Sequence, residues 1–255
     1  CPTCGLRQLD PMLSEDDYVA VYSNSYFSAS SGNAIGAMYD QHREQRFAMY
    51  RPRLDRLAKL VPPGARLMDI GAGEGDFLSL ARDTYSVSGI EFSEHGVRAA
   101  KEKYNLDLIH GGTDKLSSVS EQLDVIHLHH VFEHLLNPSA FLQMAHDNLS
   151  SNGILLIEVP NQFNSLVDRI KSAVGRPHIS YGLHAIHHPY FYSVESLRRL
   201  LPKHGFQILH LTTSLPDRRK VGADNLSKAL ARQLIYPIEK IFELGQVIEV
   251  ICRKT

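Results

Sequence analysis

The stretch from Arg66 to Gly75 constrains this chain most. The run Leu67-Met68-Asp69-Ile70 leads directly into Gly71-Ala72-Gly73-Glu74-Gly75, and Asp76–Arg82 then reads as a helix. A strand that turns through glycines into a helix lets a ligand approach the backbone closely, because glycine adopts left-handed conformations without a Cβ clash. Such a turn belongs to a βαβ unit, and the chain repeats that rhythm. Strands are expected at Ser86–Glu91, Leu106–His110, Asp124–His129 and Ile154–Val159, with helices at Glu94–Tyr104 and Ala140–Leu149 between them. The strand cores are nearly continuous apolar runs, as in a parallel sheet covered on both faces. The expected fold class is therefore α/β.

Composition narrows the function. Of the 255 residues, 43% are hydrophobic and 22% charged, a globular balance that excludes a disordered chain. No apolar run approaches the roughly 18 residues that span a bilayer. A formal net charge of −1 offers no basic face for nucleic acid. The three cysteines, Cys1, Cys4 and Cys252, are too few for a secreted disulfide scaffold. No basic start followed by an apolar h-region is visible. Cytoplasmic placement is expected, without nucleic-acid binding or stable membrane insertion.

Glu91 ends the strand after the glycine turn, where an acid can hydrogen-bond a ribose diol. A dinucleotide fingerprint would need glycine at position 76, but Asp76 stands there, and a carboxylate would repel a pyrophosphate at the helix start. Asp69 inside the strand end suits a cationic ligand instead. S-adenosylmethionine carries a sulfonium and an ammonium and has no phosphate.

At this point the chain resembles the class I S-adenosylmethionine-dependent methyltransferases. Besides the glycine turn, Gly89-Ile90-Glu91-Phe92-Ser93 is similar to the family's acidic second strand. Gly112-Thr113-Asp114 sits where the family contacts the adenine edge. Asp124–His134 followed by Leu135-Leu136-Asn137-Pro138, and Gly153–Asn161, resemble its fourth and fifth strands. The resemblance covers residues 60–255 and implies a Rossmann-like methyltransferase fold with a seven-strand, mostly parallel sheet and helices on both faces. It implies that Asp69, Gly71, Ala72, Gly73, Glu91, Phe92, Thr113, Asp114 and His129 bind the cofactor. Asp69 would face the methionyl ammonium, Glu91 the ribose, Phe92 the adenine ring and His129 the methionine moiety.

A subgroup of the family carries an N-terminal zinc ribbon, and Cys1-Pro2-Thr3-Cys4-Gly5 is similar to its second cysteine pair. Residues 1–40 are expected to be a remnant of that ribbon with a linker, and 41–255 the methyltransferase domain. Two ligands do not fill a tetrahedral site, so zinc is not expected in this chain. Cys252 reads as a core residue. Segments 160–192 and 213–243 are expected to form lids. The remnant and the following helix should fold over the cofactor.

Histidines 127, 129, 130 and 134 surround the fourth strand, and 178, 184, 187 and 188 lie in the long insertion. With no Asp or Glu at a recognisable ligand spacing, no metal is expected. A hydroxyl acceptor must lose its proton to a base entering from the carboxyl edge of the sheet. The candidates are His130, His187 and His188, with Tyr181 and Tyr190 orienting. Arginines 43, 46, 51, 53 and 56 read as a solvated helix face, and Asp217–Lys220 as an exposed turn. Asn225–Phe242 reads as a helix kinked at Pro237 that packs on the sheet or forms a homodimer face. The expected activity is O-methylation of a small sugar-like, glycolipid-precursor or natural-product acceptor. The alternatives are a silent methyltransferase-like binding module and an NAD-dependent oxidoreductase.

Overall fold

The structure, a computed structural model, describes residues 1–12, 14, 16, 43–175, 188–213 and 235–255. The expectations for Tyr181, His178, His184, His187, the Asp217–Lys220 turn and the first part of the 225–242 helix lie outside the described residues; residues 235–242 are helical.

In chain order the strands are β1 (Arg7–Gln8), β2 (Arg66–Ile70), β3 (Ser86–Glu91), β4 (Ile109–His110), β5 (Leu123–His129), β6 (Leu149–Pro160), β7 (Tyr190–Phe191), β8 (Phe206–Thr212) and β9 (Val247–Lys254). The labelled helices are α1 (Arg43–Leu57), α2 (Asp76–Ala81), α3 (Glu94–Tyr104), α4 (Pro138–Asn148), α5 (Leu166–Ala173) and α6 (Val194–Lys203). Seven strands form one sheet in the order β4-β3-β2-β5-β6-β9-β8. Neighbours from β4 to β6 run parallel, and β9 runs antiparallel between β6 and β8. The chain leaves β2 toward β3, then returns to the other side of β2 as β5. That reversal opens a crevice at the carboxyl ends of the strands, the usual ligand position in such sheets.

The alternation of side chains along the strands builds a core on each face. Leu155, Ile157 and Val159 of β6 and Ile248, Val250 and Cys252 of β9 join Phe141, Leu142, Leu197 and Leu201 from α4 and α6. The alternate residues Ile154, Leu156 and Ile251 meet Phe47, Tyr50 and Leu57 of α1 and Phe77 and Leu78 of α2. Cys252 is fully buried, as expected, and burial pushes its thiol up to about 12.

Three boundaries differ from expectation. The third strand is only Ile109–His110; Leu106 and Leu108 instead pack on the α1 face as part of the approach to it. The fifth strand starts earlier, at Leu149, and continues through Asn152, which adopts φ 63°. The segment after β6 does contain a strand, β7, paired antiparallel with β1 through Arg7↔Phe191 and Gln8↔Tyr190. The N-terminal residues thus dock beside β7 and α6, where Ser193 Oγ donates to Cys4 O and Leu9 N to Pro189 O. The rest of the expected remnant, residues 17–40, lies outside the described residues.

Ser193 caps α6 in a reciprocal box: its Oγ accepts from Ser196 N at 3.0 Å, and its own N–H donates to Ser196 Oγ at 2.8 Å. Removing an N-cap hydroxyl costs about 1 kcal/mol. Ser193→Ala is expected to lower stability by about that amount, measured by urea unfolding; an unchanged midpoint would refute the cap's contribution.

Candidate active site

The glycine turn closes β2 onto α2. Gly71, Gly73 and Gly75 have φ values of 71°, 57° and 85°, in the left-handed region. Gly71 N and Ala72 N both donate to Ile90 O, at 2.8 and 3.1 Å, so the turn is pinned to β3. Gly73 N donates to Glu91 Oε2 and Ser93 N to Glu91 Oε1, each at 2.7 Å. Glu91 is buried, which raises its pKa, while the N–H groups of Ser93 and Gly73 pull it down. Gly96 in the first turn of α3, which the sequence reading missed, allows this approach: a Cβ there would stand 2.9 Å from both Glu91 Cγ and Gly73 O.

Phe92, just beyond Glu91, leaves 46% of its surface exposed at the crevice. Thr113 and Asp114 begin a 3-10 turn that follows β4, with Asp114 exposed. Asp69 sits at 3% exposure in β2, and burial pushes its carboxyl well above the usual range, with Arg53 working in the opposite direction. His127 Nδ1 donates to Asp69 Oδ1 at 2.7 Å. Arg53 Nη1 donates to His127 Nε2 at 3.1 Å, which fixes the neutral tautomer. Burial and the neighbouring Arg53 hold the His127 pKa well below its usual value.

These features fit a cationic ligand and not a pyrophosphate. A buried carboxylate whose charge is penalised by desolvation gains most from a cation brought to it. At the start of α2, Asp76 occupies the place a phosphate would need. It receives Arg46 Nε at 2.7 Å and the Tyr104 hydroxyl at 2.6 Å.

A belt of imidazoles and carboxylates runs along the carboxyl ends of β5 and β6. His129 lies at the end of β5, where its Nε2 donates to Glu158 Oε1 at 3.2 Å and its Nδ1 accepts from the Tyr50 hydroxyl at 3.3 Å. Burial lowers the His129 pKa to about 3, so the ring is neutral. His130 follows with φ 55° and donates from both nitrogens, to Glu133 Oε1 and Glu158 Oε1, each at 3.3 Å. Burial opposes its charge, but the two carboxylates outweigh that and raise its pKa to about 9. His130 therefore keeps its proton at neutral pH, the opposite of what the expected base role requires. His188 is buried, its Nδ1 2.9 Å from Gln162 Oε1, and its ring meets His134 edge-on at 4.5 Å. The Tyr190 hydroxyl donates to Leu136 O at 3.4 Å.

Two expectations about charge are corrected. Carboxylates do lie among the histidines: Glu158 and Glu133 reach them from the next strand and from the turn after β5. The arginine face of α1 is not all solvated. Arg46 and Arg53 are buried, and Arg53 pairs with Glu158 and with Glu249, the latter at 3.0 Å. Arg56 adds a 2.6 Å pair to the other oxygen of Glu249.

The model of the methyltransferase-domain family matches residues 42–211. The chain belongs to that family. It is an S-adenosylmethionine-dependent methyltransferase of Rossmann-like α/β fold, as the glycine turn and acidic strand ends led us to expect. A methyltransferase from Archaeoglobus fulgidus superposes with a TM-score of 0.58 at 20% identity, covering 82% of this chain and 94% of that one. One from Thermotoga maritima gives 0.57 at 17%, covering 86% and 95%. The plantazolicin methyltransferase BamL, solved with S-adenosylhomocysteine, gives 0.57 at 16%, covering 94% and 96%. Among curated proteins, a ubiquinone biosynthesis O-methyltransferase from Ruegeria pomeroyi is 31% identical over 106 residues. That match spans 39% of this methyltransferase and 42% of the relative's length. No helix among the described residues is long and apolar enough to cross a membrane.

Proposed function

We propose that this methyltransferase transfers a methyl group to a hydroxyl of a small, polar acceptor that enters over the carboxyl ends of β5 and β6. The observation that carries this reading is the belt of histidines and glutamates there, which begins beside the glycine turn: Val131 stands so close to Gly71 that a Cβ would lie 2.4 Å from its Cγ2. A hydroxyl is a poor nucleophile until its proton is removed, and such a belt supplies groups that accept and stabilise protons. A sugar-like acceptor suits these polar walls. The name of the Ruegeria pomeroyi relative supports oxygen as the methylated atom.

When bound, S-adenosylmethionine supplies an activated methyl on sulfur. Asp69 then holds the ammonium, Glu91 the ribose hydroxyls through its remaining lone pairs, and Phe92 flanks the adenine. Gly71, Ala72 and Gly73 give the cofactor close backbone contact, and Thr113 and Asp114 line the adenine edge. His129, neutral and tied to Tyr50 and Glu158, walls the methionyl end. Positioning does most of the catalytic work, because the sulfonium is already a good leaving group.

Calorimetric titration with S-adenosylhomocysteine, with NAD in parallel, tests the cofactor assignment. Roughly micromolar binding of S-adenosylhomocysteine is expected, with no heat from NAD and at least about a hundredfold weaker binding in Asp69→Ala. Unchanged affinity in that variant would remove Asp69 from the site. For the acceptor, methyl-labelled cofactor is incubated with sugars, phenols and amines. A label confined to amines would overturn the hydroxyl reading.

A further inference from the structure

Glu133, His134 and His188 bring a carboxylate oxygen and two imidazole nitrogens within 4.8 Å of one another. We propose that they form a binding site for a divalent first-row transition metal of the zinc class, whose open coordination position receives the acceptor hydroxyl. Metal binding stands on this cluster alone; its use in holding the acceptor rests on the hydroxyl reading above.

The ligands come from two segments that the fold holds together. Glu133 and His134 belong to the 3-10 turn Phe132–His134 after β5. His188 precedes β7, which β1 pins by its antiparallel pairing. Glu133 is 1% exposed. Its Oε1 accepts from His130, and its Oε2 is buried with no hydrogen-bond partner among the described residues. A buried carboxylate oxygen left in that state is costly, and a cation is the partner that relieves it best.

Gln162 supports His188 in the way a ligand histidine needs. The His188 Nδ1 stands 2.9 Å from Gln162 Oε1, an acceptor, and a proton placed on Nδ1 makes Nε2 the nitrogen that binds the metal. An outer amide or carboxylate that fixes the far ring nitrogen is the usual support of a metal-bound histidine. Two imidazoles and one carboxylate suit zinc-class ions, whereas magnesium and calcium prefer oxygen shells. Three protein ligands leave a fourth position for a water or substrate oxygen. Bonds of about 2.0–2.2 Å in a tetrahedron place donors about 3.3–3.6 Å apart, so side-chain rotations of about an ångström complete the site.

The other nearby set, His129, His130 and Glu158, is a weaker candidate. There Glu158 is neutralised by Arg53 and accepts from both rings. Bound to the metal, an acceptor hydroxyl gives its proton to solvent more readily. The oxygen lone pair then forms the new bond to the methyl carbon. The carbon–sulfur bond breaks and its electron pair stays on sulfur, leaving neutral S-adenosylhomocysteine.

The test uses the full chain carrying Cys1→Ser and Cys4→Ser, which removes the two N-terminal sulfur ligands, after dialysis against a chelator. Cobalt(II) is titrated and followed by its visible absorption, with zinc as competitor. One cobalt per chain is expected, displaced by zinc. Glu133→Gln and His188→Asn should each weaken it at least about tenfold, and Gln162→Leu by about tenfold, with S-adenosylhomocysteine affinity unchanged as proof of fold. No saturable cobalt absorption, or equal affinity in the two ligand variants, would overturn the site. Cobalt binding with chelator-insensitive methylation of a hydroxyl acceptor would overturn the metal's role in holding it. Loss of S-adenosylhomocysteine binding alone would count against the cofactor assignment and leave the metal site standing.

Discussion

Replacing Arg53 by methionine is expected to destabilise the fold by about 3–5 kcal/mol, read as a fall in the urea midpoint with an unchanged slope. The strand registers explain the size. Glu158 of β6 lies directly opposite Glu249 of β9, with His129 opposite it on the other side. Like charges facing each other across a ladder repel, and both glutamates are fully buried. Arg53, 1% exposed on α1, lies over this row and pairs with both acids while donating to His127. Methionine fills much of the same volume, so the loss reports two buried carboxylates that have lost their shared guanidinium, with Arg56 left to Glu249 and the histidines to Glu158, and not a cavity. If Arg53 acts this way, adding Glu158→Gln and Glu249→Gln to Arg53→Met should recover most of the loss. No recovery would show that packing of α1, and not charge, is what Arg53 provides.

Acid titration gives a second readout of the same row. Burial works against the charge on Glu158, yet Arg53, with His129, outweighs it and holds the carboxyl well below its ordinary value of 4.5. A depressed carboxyl contributes stability that is complete above its unfolded pKa and is lost as pH falls through the folded one. The stability that Glu158 lends the native protein should therefore begin to fall as pH drops below 4.5, read by urea unfolding across that range. In Arg53→Met, with that pull removed and burial left to raise the Glu158 carboxyl, the sign reverses: the loss relative to the native protein should shrink as pH falls and the carboxyl takes up a proton.

How legible this was depends on the distance over which each signal acts. The glycine turn and the acid at Glu91 are local devices, and each is where the residues place it. The apolar runs gave β2, β3 and β5 almost to the residue, because a strand covered on both faces needs no distant information. Arg53 was hidden because its partners lie 105 and 196 positions away, and nothing local separates it from the other arginines of α1. A signal did exist at the other end. Glu158 in the run Gly153–Val159 and Glu249 in the last strand are charges at inward strand positions, and such charges demand a buried partner. The convergence of Glu133 and His134 with His188 needs the β1–β7 pairing, for which a two-residue strand leaves no sequence pattern.

Gly71→Ala should cut S-adenosylhomocysteine affinity at least about thirtyfold, roughly 2 kcal/mol, in the same calorimetric titration. Two costs combine. The residue sits at φ 71°, where an L side chain costs about 1–2 kcal/mol. Its new methyl would also stand 2.4 Å from Val131 Cγ2, far inside contact distance. The turn cannot swing away freely, since Gly71 N and Ala72 N are both held by Ile90 O. Val131 must yield instead, and it is joined to His130 and Phe132 at the entrance to the histidine belt. The double variant Gly71→Ala/Val131→Ala separates the costs: it removes the clash and keeps the backbone strain, so binding should recover in large part but not fully. A double variant no better than Gly71→Ala alone would mean that backbone conformation by itself sets the turn. Wild-type affinity in the single variant would mean that the cofactor does not use this turn, and would undo the placement from which the acceptor site was reasoned.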